Sequence, residues 1–259
     1  MSEDVKKTEG NNSNYKGKGP NNNDRPKRGP SLSPAQQRRK AAEERISNWT
    51  PKTELGRKVV SGEITTVKEA LASGLPLREA PIVDLLITDL MEEVIDIHMV
   101  QRMSDSGRRV RFAVTTIVGN GDGIVGIGRV SGKLVRPTIT KALDRAKLNI
   151  IEVRRGSGSW ECSTAVPNSL PFEVSGRTGS TRVKIKPAPP GVGLVTNQVG
   201  KIMLKLAGVE DAWSFTRGQT QTIYNFASAM FKALEKTRST KLLPGQEDFH
   251  NMIKGVKQE

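Results

Sequence analysis

Cysteine occurs once in this 259-residue chain, at Cys162, and histidine twice, at His98 and His250. One cysteine closes no internal disulfide, so nothing points to an oxidising compartment. Neither histidine has a partner at metal-ligand spacing. Aromatic residues make up only 4%, lean for a metabolic enzyme. Trp49, Trp160 and Trp213 are too scattered for a base-stacking surface, which leaves packing as their expected role. No apolar run approaches the roughly 20 residues of a membrane span. The residues after Met1 lack the apolar centre of a secretory signal. A basic, soluble, cytosolic chain is expected, long enough for one large or two small domains.

Acid is missing from one stretch altogether. Residues 176–209 carry six Lys/Arg and no carboxylate, and residues 107–155 carry eleven against three. These two blocks account for the formal net charge of +14, because the remaining segments cancel. A charge serving only solubility would be diffuse, so compact basic blocks within folding-competent sequence imply a polyanionic partner, with nucleic acid first among candidates.

Residues 1–46 read as a disordered basic arm, because Asn, Gly and Pro dominate and too few apolar side chains are present to offset ordering entropy. Its basic residues either track phosphates or form a solvated tail. An N-terminal helical segment follows over 47–78. Thr53 caps one short helix ending at Gly62, and Thr66 with Glu69 forms a capping box for a second ending at Gly74. The segment from Glu79 to about Leu90 predicts a third helix, with Pro81 in its first turn.

Period-two patterning then takes over. Strands are expected over 91–103 and 108–118 around the turn Ser104–Gly107, with Val110, Phe112, Val114 and Val118 on one face and Arg109 and Arg111 on the other. A third strand spans 124–130, and a helix begins near Pro137 with Ile139, Ala142, Leu143 and Ala146 apolar. Helix, three strands and helix make one α+β unit over 79–152. A second α+β unit spans 153–240. Its hairpin around Thr178 and Gly179 places Arg182, Lys184 and Lys186 opposite Val183 and Ile185, a basic ladder with a packed back. A helix over 197–207, a strand near 212–216 and an amphipathic helix through Ile223, Phe226, Met230 and Leu234 follow. Residues 241–259 read as a loose tail.

Enzyme motifs fail on inspection. Gly121, Gly123 and Gly126 match a dinucleotide fingerprint but continue into a strand rather than a helix, so close approach to another backbone is the better use for them. Ser131-Gly-Lys133 is followed by Leu134, not by the Ser or Thr of a P-loop. The loop Pro189–Leu194 does precede a helix, where an RNA phosphate fits, but it lacks the serine pair of small-molecule kinases that hold ATP there. Asp84, Asp89, Glu92, Glu93 and Asp96 straddle a helix and a strand, and are expected to form a solvated acidic face.

The run Arg108–Phe112 (RRVRF) followed by Val118–Gly128 (VGNGDGIVGIG) resembles the signature of the universal small-subunit ribosomal protein S-five family, called S-two in eukaryotes. Ala146–Ile151 (AKLNII), Val153–Gly156 (VRRG), Gly176–Ser180 (GRTGS), Pro187–Gly191 (PAPPG) and Leu206–Asp211 (LAGVED) extend the likeness. Gly158–Cys162 (GSWEC) is similar to the archaeal branch. Two departures stand out: the family commonly has histidine where Ile124 stands, and Glu where Leu134 stands. Some archaeal members carry extra cysteines and a histidine near the last motif. Ser157, Thr164 and Asn168 occupy nearby positions here, so no metal is expected.

The resemblance implies a double-stranded-RNA-binding-like α-β-β-β-α domain followed by a small α+β domain with a left-handed β-α-β crossover. It implies a structural role without catalysis, cofactor or metal: cytoplasmic and ribosome-bound, on small-subunit rRNA near the decoding region and messenger entry path. Protein S-four would be a neighbour, and neither a membrane nor a homo-oligomer is expected. Candidate RNA contacts come from the two basic blocks. The first supplies Arg108, Arg109, Arg111, Arg129, Lys133, Arg136, Lys141, Arg145, Arg154 and Arg155. The second supplies Arg177, Arg182, Lys184 and Lys186. An extraribosomal RNA chaperone and a phosphate-binding kinase are the other readings.

Overall fold

The computed structural model describes residues 49–87, 89–161, 167–241, 245 and 252–254. The arm over 1–46 lies outside them, as do Cys162, Thr164 and His250. The described chain opens with three short helices. In α1 (Glu54–Val60), Thr53 adopts an extended conformation and its hydroxyl accepts from Gly56 N–H. In α2 (Val67–Ala72), Thr66 and Glu69 form the reciprocal capping box. α3 (Ala80–Leu86) has proline in its first turn. It is shorter than the periodicity suggests. Ile87 leaves the helix at φ −128°, ψ 105°, and buries its side chain with Val83, Val118 and Ile124. A β-branched residue accepts that extended conformation readily. Glu79 ties the group together, its Oε1 accepting from Lys52 N–H at 3.0 Å and Thr53 N–H at 2.7 Å.

The first sheet is antiparallel in the order β1 (Met91–Ser104), β2 (Gly107–Gly119), β3 (Ile124–Gly132) and β4 (Ile150–Glu152). The short β4 adds a fourth strand to the three expected. α4 (Val135–Leu148) lies against β3 at very close range, because Gly128 has no side chain to hold it off: a Cβ there would sit 2.3 Å from Ala142 O and 2.5 Å from Ala146 N. The expected facing of β2 holds only in part. Val114 and Val118 are buried, but Val110 is 38% exposed, and Ala113, Thr115 and Ile117 on the arginine face are buried too. The half of β2 nearer the β2–β3 turn is buried on both faces, whereas β1 is exposed or half-buried along its length and the outer half of the hairpin is largely exposed on both faces.

The second sheet runs β6 (Val174–Thr178), β7 (Thr181–Pro187), β9 (Ala212–Arg217), β8 (Leu194–Val195). β8 and β9 are parallel and joined through α5 (Gln198–Leu206), a β-α-β crossover. α6 (Ile223–Ser239) packs on the inner face, where Phe226, Met230 and Leu234 bury against Val183 and Ile185. That cluster also takes in Ile117, Val125 and Ile127 of the first sheet, so the two sheets share one core. The glycine-rich β2–β3 turn docks on the end of α5: Gly121 N–H donates to Leu206 O at 2.9 Å and Gly123 N–H to Ala207 O at 3.1 Å. This is the close backbone approach expected of those glycines.

A two-residue ladder pairs β5 (Arg154–Arg155) with β10 (Ile253–Lys254), so part of the segment read as a loose tail is held. Trp49 packs beside Leu55 and Ile82, in keeping with its expected role. Trp160 departs from it, at 91% exposed.

Candidate nucleic-acid interface

The β1–β2 hairpin builds its basic face by register. The turn is two residues long, with Ser104 opposite Gly107, and Gly107 takes φ +109°, which side chains disfavour. Counting back from it, Arg102 faces Arg109 and Val100 faces Arg111, while further along Thr115 faces Arg129 on β3. Directly paired residues share a face, so Arg102, Arg109, Arg111 and Arg129 stand on one side of the sheet. They line a cleft of about 950 Å³ together with Arg108 and Lys133, and among the described residues no carboxylate lines it. Arg109 Nη2 donates to Ser106 Oγ at 3.1 Å, bracing the turn. Cations gathered in a cleft without carboxylates are suited to consecutive phosphates.

Arg102 was not among the sequence candidates, since it sits in a net-acidic stretch. The signal was nonetheless present: a two-residue turn at 105–106 fixes 102 opposite 109. Arg129 also borders a second polar cleft of about 660 Å³, with Arg78, Arg145, Lys232 and Tyr224. Its guanidinium lies 4.5 Å from the Tyr224 ring centroid, a cation–π contact that fixes its position. Arg136, Lys141 and Arg145 are exposed along α4.

The ladder on β7 stands as expected: Arg182 and Lys184 point outward, Lys186 is half-exposed, and Val183 and Ile185 are fully buried behind them. Across the sheet Arg182 faces Arg177 on one side and Arg217 on the other. Glu173 was overlooked. Its carboxylate accepts from Lys184 at 3.0 Å and lies 3.5 Å from Lys186. The Lys184 hydrogen bond holds it below the usual carboxylate range.

Other candidates have structural partners. Arg155 is buried, paired with Asp122 and directed at Gly208 O. Arg154 is half-buried and donates to Thr240 O at 2.9 Å. Arg155 thus clasps the β2–β3 turn away from solvent, and Arg154 holds the end of α6. In the Pro189–Leu194 loop, Gly193 N–H donates to Asp211 Oδ1 at 2.6 Å, so a carboxylate of the chain itself holds the donor sought for a phosphate.

The expected solvated acidic face holds for Asp89 and Glu93, which are exposed, and is corrected for the others. Asp84 and Glu92 turn inward onto Lys147, whose Nζ donates to Asp84 Oδ1 at 2.7 Å and lies 3.1 Å from Glu92 Oε1. Burial alone would lower the Lys147 pKa. The Asp84 hydrogen bond and the charges of Asp84 and Glu92 outweigh it and hold the group above its ordinary 10.5. This triad joins α3, β1 and α4 at the foot of the hairpin. Asp96 in turn holds His98 Nδ1 at 2.8 Å.

Two family models match this architecture: Ribosomal protein S5, N-terminal domain, over residues 90–154, and Ribosomal protein S5, C-terminal domain, over residues 176–246. Archaeal relatives extend the match. The chain is 56% identical over 196 residues to a small ribosomal subunit protein uS5 of Picrophilus torridus, covering 76% of this chain and 89% of the relative. A protein of the same name from Thermoplasma volcanium is 51% identical over 197 residues, covering 76% and 89%. That of Methanocaldococcus jannaschii is 47% identical over 210 residues, covering 81% and 97%. With both halves of the fold matched and relatives aligned over most of their length, this chain belongs to the ribosomal protein S5 family.

Proposed function

We propose that this chain is a structural constituent of the small ribosomal subunit, bound to the ribosome in the cytoplasm, where it holds rRNA and catalyses nothing itself. The observation that carries this reading is the acid-free cleft on the hairpin, where cross-strand register aligns Arg102, Arg109, Arg111 and Arg129 beside Lys133. The order α3, β1, β2, β3, α4 has the α-β-β-β-α sequence of a double-stranded-RNA-binding-like domain, which supports an rRNA helix as the ligand of this face. The ladder on β7 offers a second set of phosphate contacts.

The finer placement rests on the family resemblance. In that reading the tip around Arg108 reaches rRNA near the decoding region, close to the messenger entry path and to protein S-four. There it favours one rRNA conformation over another and so supports decoding accuracy.

Changing Arg102, Arg109 and Arg111 together to Gln tests the reading in its simplest form. The three side chains are exposed, so the melting transition is expected to stay put. Affinity for a small-subunit rRNA fragment should fall, and the slope of log K against log salt should shrink by about 2 to 3 units, one released counterion per phosphate lost. An unchanged slope would remove this face from the interface.

A further inference from the structure

The outer face of the second sheet carries more than cations. Register sets Phe215 of β9 beside Lys184 and Trp213 beside Lys186, with Arg217 beside Arg182. Two aromatic rings therefore alternate along one strand, about 6.8 Å apart at two residues of rise, on the same face as the ladder. Phe215 is 56% exposed, and Lys186 Nζ lies 5.4 Å from its ring centroid. Behind this face Val183 and Ile185 of β7 are fully buried, so the strand paired with the ring-bearing β9 is anchored in the core.

We propose that this sheet face is a stacking platform for single-stranded RNA, occupied in the subunit by an unpaired stretch of rRNA. The proposal deepens the rRNA-binding reading and rests on it. Charge complementarity selects a polyanion, since among the described residues Glu173 is the one carboxylate beside five cations here. The rings select among polyanions. Bases in a duplex are already stacked on each other, whereas an unpaired base presents a free π-face to Phe215. An acidic peptide would satisfy the cations and leave the rings in water.

The test uses the full-length chain and fluorescence anisotropy with a labelled uridine 12-mer and a duplex of equal length. Phe215→Ala is expected to weaken single-strand binding about tenfold, change duplex binding less than twofold and leave the salt slope untouched, because the phosphate contacts remain. Phe215→Tyr should restore the affinity. In assembled subunits, p-benzoylphenylalanine in place of Phe215 should crosslink to rRNA. Equal loss for both probes, no loss with Phe215→Ala, or a polyglutamate peptide that outcompetes the uridine strand would overturn the platform. A crosslink found only on messenger RNA or on another protein would do so too. A Phe215→Ala protein that keeps wild-type single-strand affinity yet still enters subunits would sink this inference alone. Failure of the wild-type chain to bind either RNA would sink the underlying reading as well.

Discussion

Replacing Lys147 with methionine keeps an unbranched side chain one atom shorter and deletes a charge that two carboxylates surround. The Lys147 and Asp84 side chains are 6% and 7% exposed, and Glu92 is 23% exposed. Removing one partner of such a group leaves charge buried without compensation, which costs about 3–5 kcal/mol. For a domain whose whole stability is about 5–15 kcal/mol, that is a large share. Urea unfolding followed by tryptophan fluorescence should show the midpoint falling steeply at constant m. Removing all three charges at once, in Asp84→Asn/Glu92→Gln/Lys147→Met, should recover most of the loss, because a well-packed neutral site is often no worse than the ion cluster. The alkaline limb supplies a second readout. The folded pKa of Lys147 lies above 10.5, so its contribution is complete below that value and fades as pH climbs through the higher folded one. Wild-type protein should lose stability there by an amount that Lys147→Met lacks. A single variant within about 0.5 kcal/mol of wild type would refute the buried-clamp reasoning, since that is the scatter of surface substitutions.

Two further outcomes separate structural groups from binding groups. Gly128→Ala would bring a Cβ to 2.3 Å from Ala142 O, a backbone atom that cannot swing away. Overpacking of this kind costs about 1–3 kcal/mol, visible by calorimetry as a lower melting temperature, and an unchanged transition would contradict the close helix–strand approach. Arg155→Met should destabilise the fold by removing its buried ion pair with Asp122 while leaving the salt dependence of RNA binding as it was. A reduced salt slope at unchanged stability would return Arg155 to the interface.

Local chemistry was legible in the sequence wherever it acts over a few residues. The Thr53 cap, the Thr66–Glu69 capping box, the turn at 104–107 and the alternation of Arg182, Lys184 and Lys186 with Val183 and Ile185 all depend on neighbours within one turn or one hairpin. The parallel strand pair around α5 was reached through family likeness, since a two-residue strand has too little pattern to be read alone. What the sequence hid depends on distant partners. Lys147 reads as one more cation of a basic block until α3 and β1 fold around it, and Arg155 looks like a phosphate contact until Asp122 meets it. Phe215 reads as part of an ordinary short strand because the cations it stands beside lie about thirty residues earlier. Arg102 was recoverable by counting across the turn, and was obscured only by the acidic residues around it.

The central claim is that this chain holds small-subunit rRNA through the face shared by Arg102, Arg109, Arg111 and Lys133. Reconstituting small subunits with full-length chain and sedimenting them through a high-salt gradient tests it most directly. The wild-type chain should travel with the particle in equal stoichiometry. A variant with those four residues changed to Gln should melt at the wild-type temperature yet remain at the top of the gradient. Wild-type chain left in the free fractions, or a four-fold variant that enters the particle as efficiently and survives the same salt, would contradict the account.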